Sequence, residues 1–161
     1  MDKQQQSQKN QLYTTHHGDP YLKPPSSGSA LCPQCGAVYQ QGRWAWQDSP
    51  PAEAQSLACP ACQRIADGEP AGTLQLSGDF LDEHRDEILN LIHNTEAAEK
   101  AQHALERLLK VSEEQGSVQV TTTGVHLANR IGHALSAAYK GRIEYSYSED
   151  ERHVGIHWHR D

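Results

Sequence analysis

The chain has few of the residues that usually build a large protein interior. Among its 161 residues are only 1 Phe, 3 Trp and 6 Tyr, together with 1 Met and 4 Cys. Hydrophobic residues make up 36% and charged residues 22%. That composition is too apolar for a wholly disordered chain and thin for one large core. We therefore expect a small domain together with a module that needs help to fold.

Long apolar runs are also lacking. A membrane-spanning helix needs about 18 consecutive apolar residues, and the sequence contains no such run. Residues 1–10 are rich in Gln and have no apolar centre, unlike a secretory signal peptide. The sequence therefore predicts a cytoplasmic protein with no membrane partner.

Negative charge is in excess and lies mainly in one segment. The formal net charge is -7, and residues 73–116 contain ten acidic against four basic residues. Bulk electrostatic attraction, the main source of nonspecific affinity for nucleic acids, is therefore not available to this chain. Any contact with RNA has to come from a local basic or aromatic patch.

Composition divides the chain into three parts. Residues 1–28 contain a Gln/Ser/Lys tract with several Pro and Gly, which predicts a flexible arm or one that orders on a partner. Residues 29–70 hold all four cysteines. Residues 71–161 show the periodicities of both strands and amphipathic helices, which predicts an α+β domain.

The order predicted for that domain is β-α-(α)-β-α-β-β. In its second helix, Ala101, Leu105 and Leu108 share one side together with Ala97 and Leu109. Glycine after the last helix is typical of a C-terminal cap. The predicted elements are strands at 73–76 and 118–122, helices at about 79–94, at about 96–111 and from near Thr123 to before Gly141, and two closing strands at 143–147 and 154–158.

The four cysteines form two pairs with identical spacing. The motifs CPQCG (32–36) and CPAC (59–62) each place two residues between their cysteines. Such a spacer lets one tight turn direct both sulfurs at one ion, and four thiolates suit tetrahedral Zn²⁺. A closed set of four protein ligands leaves no position for a catalytic water. The sequence therefore predicts a zinc ribbon with one structural zinc ion held by Cys32, Cys35, Cys59 and Cys62.

Other uses of the cysteines compete with this interpretation. Two disulfides are disfavoured in a cytosolic chain. Iron is the main competitor, because rubredoxins also use two CPxCG-like turns, although here Gln63 stands where the second glycine would be. A thioredoxin-like dithiol would need a βαβ context that the sequence does not provide.

Aromatic and basic residues near these motifs are candidates for RNA binding. Trp44 and Trp46 share one face of a predicted strand, where they either cover the metal site, pack on the second domain, or stack on bases beside Arg43. The segment TTTGVH (121–126) crosses from strand to helix, and its free N–H groups either hold a phosphate or are capped by Thr123. The predicted RNA contacts are Arg43, Trp44, Trp46, Arg64, Thr123, His126, Arg130 and His133.

The remaining polar patterns do not indicate catalysis. His153, His157 and His159 alternate along the last strand, which predicts a solvated or RNA-facing edge, with metal binding as the alternative. The sequence shows no catalytic Ser/His/Asp or Cys/His arrangement and no glycine-rich phosphate loop. We therefore expect a protein that is not an enzyme and has no small-molecule substrate.

As a set, several segments resemble a bacterial family of zinc-ribbon proteins found among low-oxygen and stationary-phase genes. These segments are CPQCG, GRWAW, LACPACQRIADGEPAG, LSGDFLDEHRDEILNLI, TTTGVHLANRIGHAL and VGIHWHR. The two CPxC motifs and the α+β region after them are also similar to the amino-terminal part of the nonsense-mediated-decay-three family. Members of that family are adaptors that bind the large ribosomal subunit, and they carry further zinc knuckles and later domains that this chain lacks.

The resemblance implies a ribosome-binding protein that contacts rRNA, with ribosomal protein as a further partner. A role in stress or dormancy, such as holding ribosomes inactive, is the sharper form of this hypothesis. The competing hypotheses are a rubredoxin-like iron electron carrier and a zinc-dependent protein–protein adaptor or regulator.

Overall fold

The computed structural model describes residues 20–161, so the part of the predicted arm before Pro20 lies outside the described residues. Four α-helices and two β-sheets, each with parallel and antiparallel neighbours, form this part of the chain. The expected α+β class is confirmed. No helix within residues 20–161 has the length and apolar character needed to cross a membrane.

The strands and helices are numbered in chain order, and a short 3-10 turn at Pro20–Leu22 precedes them. Strands β1 to β9 are Ala30–Leu31, Val38–Gln40, Arg43–Ala45, Gln55–Ser56, Gly72–Ser77, Leu108–Glu114, Ser117–Thr122, Arg142–Tyr147 and Val154–His159. Helices α1 to α4 are Pro60–Asp67, Asp79–Glu83, Arg85–Gln102 and Val125–Tyr139.

The smaller sheet carries the first cysteine pair. Its strand order is β3-β2-β1-β4, with β1 and β2 antiparallel and β1 and β4 parallel. The turn between β1 and β2 contains Cys32 and Cys35, and α1 begins one residue after Cys59. Both cysteine pairs therefore belong to one compact unit.

The larger sheet has the order β6-β7-β5-β9-β8, in which β5 and β9 are parallel. Residues in β5 alternate between buried and half-buried, because one face packs under α4 and the other is polar. The helix α3 packs on α4 and adds Ile88 and Ile92 to the same core. The buried core comprises Leu74, Leu76, Leu81, Ile88, Ile92, Val118, Val120, Leu127, Ala128, Ile131, Leu135, Val154, Ile156 and Trp158.

The two helices expected between 79 and 111 differ from the structure. The first is interrupted at His84, whose φ of -123° and ψ of 27° leave the helical region, and α3 then runs through to Gln102 without the expected break near Asn94. Residues 108–114 form strand β6 and pair with β7, so the helix predicted over 96–111 is wrong in its second half. The Leu/Ala spacing that indicated a helix is overridden by pairing with a neighbouring strand, a tertiary contact.

The histidine-bearing strand also differs from its predicted position. Strand β9 lies between β5 and β8, so it is an interior strand and not an edge. His153 Nε2 is 3.1 Å from the Thr73 hydroxyl, and His159 Nδ1 is 2.8 Å from the Ser77 hydroxyl. These side chains therefore bridge β9 to its parallel neighbour on the polar face of the sheet.

Residues 20–28, which the sequence assigned to the flexible arm, contact the cysteine unit. The Tyr21 hydroxyl donates to Asp67 Oδ2 at 2.8 Å, and the Arg64 guanidinium lies 4.5 Å from the centre of the Tyr21 ring. The Ser27 N–H donates to Gln55 Oε1 at 3.3 Å. The end of the predicted arm thus packs on α1 and β4.

Candidate metal centre and the cleft beside it

The first cysteine pair is held by a tight turn closed by backbone hydrogen bonds. The Cys32 N–H donates to the Ala37 carbonyl at 2.8 Å, and the Gly36 N–H donates to the Cys32 carbonyl at 2.9 Å. Gly36 has a φ of 84°, in the left-handed region that glycine adopts without steric cost. This local geometry directs both sulfurs towards the second pair.

The second pair lies at the start of a helix, whereas a zinc ribbon would place it in a second hairpin turn. Cys59 is the N-cap residue of α1, and Pro60 occupies the first helical position, where its missing N–H costs nothing. The Cys62 N–H points at the Cys59 sulfur at 3.4 Å. Because a helix N-terminus favours negative charge, this position stabilises thiolates.

The four sulfurs are arranged as one coordination site. All four lie within 4.8 Å of one another, and Cys35 Sγ is 3.7 Å from Cys59 Sγ. Zinc–sulfur bonds of about 2.3 Å in a tetrahedron place sulfurs about 3.8 Å apart. All four residues are free cysteines. The cluster therefore fits a single tetrahedral metal ion.

Arg107, from the other part of the chain, lies directly against this cluster. Its Nη2 donates to Cys59 Sγ at 2.8 Å, and its Nη1 donates to Cys62 Sγ at 3.5 Å. The side chain is only 6% exposed, and its guanidinium lies 6.0 Å from the centre of the Trp46 ring. Four thiolates around a divalent ion carry a net charge of about -2, so the buried guanidinium offsets part of that charge.

The pKa values of Cys32, Cys59 and Cys62 are shifted, and not all in the same direction. Burial raises the pKa of Cys59 and also that of Cys62, although Arg107 opposes both shifts. Burial acts in the same direction on Cys32, but nearby backbone N–H groups outweigh it and lower the pKa of that thiol to about 7. A metal ion has to displace protons from the buried sulfurs, so its binding is coupled to proton release.

A threonine fixes the backbone of Arg107. The Arg107 N–H donates to the Thr123 hydroxyl oxygen at 2.9 Å, and the Thr123 N–H donates to the Arg107 carbonyl at 2.8 Å. The Thr123 hydroxyl in turn donates to the Leu105 carbonyl at 2.6 Å. Sequence analysis did not identify Arg107, because it is 45 residues from Cys62 and no local pattern marks it.

The tryptophans join the cysteine unit to the rest of the protein. Trp46 Nε1 donates to the Lys100 carbonyl, at the end of α3, at 2.7 Å. Trp44 and Trp46 both pack against the buried cluster that contains the cysteines and Ala104. The Trp44 ring also meets the Tyr39 ring edge-on, with centroids 5.5 Å apart. Both rings are half-buried against that cluster, and Trp46 in addition hydrogen-bonds to the end of α3.

The expected phosphate position at the start of α4 is filled by the chain itself. The Leu127 N–H donates to Glu106 Oε1 at 2.7 Å, and a Cβ at Gly124 would overlap the Glu106 carboxylate. Burial raises the pKa of this carboxyl above its usual value. Thr123 is buried and its hydroxyl donates to the Leu105 carbonyl, so the RNA contact predicted at Thr123 has no exposed hydroxyl to make it. Glu106 thus caps α4, a contact that no local sequence pattern predicted.

A cleft of about 580 Å³ opens between the β2–β3 hairpin and residues 102–106 at the end of α3, with His126 of α4 also in its lining. Of the predicted RNA contacts, Arg43, Trp44 and His126 line it. Arg64, a residue of α1, instead lies over the Tyr21 ring. Arg130 and His133 line a separate groove between α3 and α4. The eight predicted contacts therefore do not form one surface, and the cleft gathers three of them beside Tyr39 and Leu22.

Together the fold and the site define a mixed α+β protein with four cysteines placed to coordinate one metal ion. Comparisons with protein-family models, curated proteins and solved structures gave no match to this chain. The interpretation of its function therefore depends on the site.

Proposed function

We propose that this protein is a non-enzymatic, zinc-stabilised factor that binds RNA and associates with the ribosome in stress or stationary phase. The observation that supports it best is the cleft in which Trp44 and Arg43 are presented beside the thiolate cluster. A metal centre of this kind makes a small module rigid without a large core.

Zinc is the ion that suits the cluster in this proposal. The four sulfurs lie within 4.8 Å of one another, and four thiolates form a common structural zinc site. Elemental analysis of protein purified from its native host should give at least one equivalent of zinc per chain, and Cys32→Ser with Cys59→Ser should lose the equivalent held by the cysteines. One equivalent of iron with a red colour would instead support the electron-carrier alternative.

The cleft has features that suit a nucleobase. Its volume of about 580 Å³ falls in the range of small-ligand sites. The pairing of Tyr39 with Trp44 across β2 and β3 holds the Trp44 ring at the cleft wall. The net charge of -7 opposes nonspecific attraction of the RNA backbone. Stacking of a base on the Trp44 ring would therefore supply the local affinity for RNA.

The test combines a cellular and a direct measurement. The protein should sediment with ribosomal particles in lysate from starved cells at moderate salt, and ribonuclease should release it. Trp44→Ala should weaken binding to a short single-stranded RNA by about 5- to 150-fold, because stacking contributes about 1–3 kcal/mol per base.

Tyr147→Ala is the matched control, since Tyr147 is 53% exposed on β8, outside the cleft lining. Equal RNA affinity of the Trp44 variant and the wild type would refute the cleft as the binding site. Partners that remain bound after ribonuclease treatment, with no protein in ribosomal fractions, would instead support a protein–protein adaptor.

A further inference from the structure

A second group of metal-binding side chains lies at the edge of the cleft. Glu99 and His103 come from the end of α3, and His126 comes from the first turn of α4. One ligand atom from each residue lies within 4.8 Å of the other two. None of the three belongs to the four-cysteine centre.

The geometry of the group is set by the ends of two helices. Glu99 lies in the last turn of α3 and His103 is the residue that ends this helix, and the His103 N–H donates to the Glu99 carbonyl at 2.8 Å. His126 Nε2 lies 2.6 Å from Glu99 Oε1. The rings of His103 and His126 are nearly perpendicular, with centroids 5.4 Å apart.

These separations are close to those of a metal site. Zinc–nitrogen and zinc–oxygen bonds of about 2.0–2.2 Å place tetrahedral ligand atoms about 3.3–3.6 Å apart. The 2.6 Å contact between Glu99 and His126 has to lengthen by about 1 Å, and a separation at the 4.8 Å limit would have to shorten by about as much. Both imidazoles are exposed, so side-chain rotation alone allows these changes.

Two further charged side chains, Glu106 and Arg130, flank the group. The carboxylate of Glu106 is buried close enough for Glu99, His103 and His126 to affect its ionisation. Arg130 Nε lies 3.5 Å from Glu99 Oε2, the oxygen that does not face His126. An arginine in that position orients the carboxylate while leaving Oε1 for the metal, as partners of metal ligands commonly do.

We propose that Glu99, His103 and His126 bind a second Zn²⁺ ion, independent of the four-cysteine centre. Two imidazoles and one carboxylate are a ligand set that Zn²⁺ accepts with a fourth position left for water. His103 and His126 both line the cleft, so that fourth position faces it. The proposal does not depend on RNA binding, because it concerns only the ion.

The test is zinc titration of the full chain with its four-cysteine centre already loaded. Wild-type protein should bind one further equivalent of Zn²⁺ in equilibrium dialysis or calorimetry. His103→Ala and His126→Ala should each weaken that second equivalent by at least about 10-fold while retaining the first. Co²⁺ added to zinc-loaded protein should bind without sulfur-to-metal charge-transfer absorption, because this site has no thiolate.

Two control variants separate this site from other histidines. His93→Ala removes an exposed histidine from the same helix, and the double substitution His16→Ala, His17→Ala removes a pair that could bind zinc by itself. Both should keep the second equivalent. Glu99→Gln preserves the shape of the side chain but removes its carboxylate, so this variant should weaken binding of the second equivalent as His103→Ala and His126→Ala do.

Three results would overturn the proposal. These are wild-type protein that stops at one equivalent, loss of the second equivalent in the His16/His17 variant, and unchanged affinity in the folded His103, His126 and Glu99 variants. Retention of the first equivalent and a native circular dichroism spectrum show that a variant is folded.

Discussion

The contact between Arg107 and the cysteine cluster leads to a quantitative prediction. Arg107→Met keeps a long apolar stem but removes the positive charge and both N–H···S contacts, at 2.8 Å to Cys59 and 3.5 Å to Cys62. Loss of a partner that hydrogen-bonds to metal ligands typically costs 10- to 100-fold in metal affinity. We therefore expect the four-cysteine centre of Arg107→Met to bind zinc about 10- to 100-fold more weakly, which is roughly 1.4–2.7 kcal/mol.

The assay is competition for zinc with a chromophoric chelator at fixed pH and ionic strength. Arg43→Met is the matched control, because Arg43 is exposed on β3 and its loss should leave zinc affinity unchanged. Arg107→Lys retains the charge but not the planar fork of donors, so it should fall between the wild type and Arg107→Met.

Equal zinc affinity of Arg107→Met and the wild type would refute the reasoning. It would mean that packing alone places the guanidinium beside the cysteines and that it does not affect how they bind the ion. Arg107→Lys as weak as Arg107→Met would instead assign the effect to the geometry of the two donors and not to charge.

Three further predictions concern the interface, a buried carboxyl and a close approach of backbone. Trp46→Phe removes the hydrogen bond to the Lys100 carbonyl, so urea unfolding should show a loss of about 1 kcal/mol, and an unchanged midpoint would contradict this. Because burial raises the pKa of Glu106 in the folded state, ionisation of this carboxyl lowers the stability of the protein as the pH rises above 4.5. Urea midpoints of Glu106→Gln should therefore fall less with rising pH than those of the wild type, and parallel pH curves for the two proteins would refute this prediction. Gly72→Ala places a Cβ 2.5 Å from the Cβ of Ala128, so thermal and urea unfolding should show a loss of stability of at least about 1–3 kcal/mol. Gly155→Ala, on the polar face, is the control and should cost much less stability.

The features predicted correctly from the sequence are those that local spacing determines. The CPxC spacing identified the four cysteines as one cluster because two-residue spacers constrain the turn itself. Alternating residues located strands near β5 and β7, and the apolar periodicity located α4, since each depends on a face that neighbouring residues share. The hairpin of β8 and β9 follows from the same alternation on both sides of a polar turn.

The features that were missed depend on residues far apart in the chain. Helix α3 ends at Gln102, and the N–H at the start of β6 is satisfied by Glu96, whose Oε2 accepts from Leu108 at 2.7 Å. No periodicity in residues 96–111 contains that information, because the decisive partner of β6 is strand β7. Arg107 was missed for the same reason, since its contacts are with cysteines of the other unit.

The acidic segment shows how net charge alone can mislead. Residues 73–116 hold most of the negative charge, yet Glu99 and Glu106 of this segment both make contacts beside the cleft, with His126 and with the Leu127 N–H. The loop after α3 packs Ala104 and Leu105 against the cysteine cluster, caps α4 through Glu106 and places Arg107 on the sulfurs. One short loop therefore couples the metal centre to the start of α4. An ion bound at the cysteines would therefore lie against Arg107, which directly follows the residues 102–106 that line the cleft.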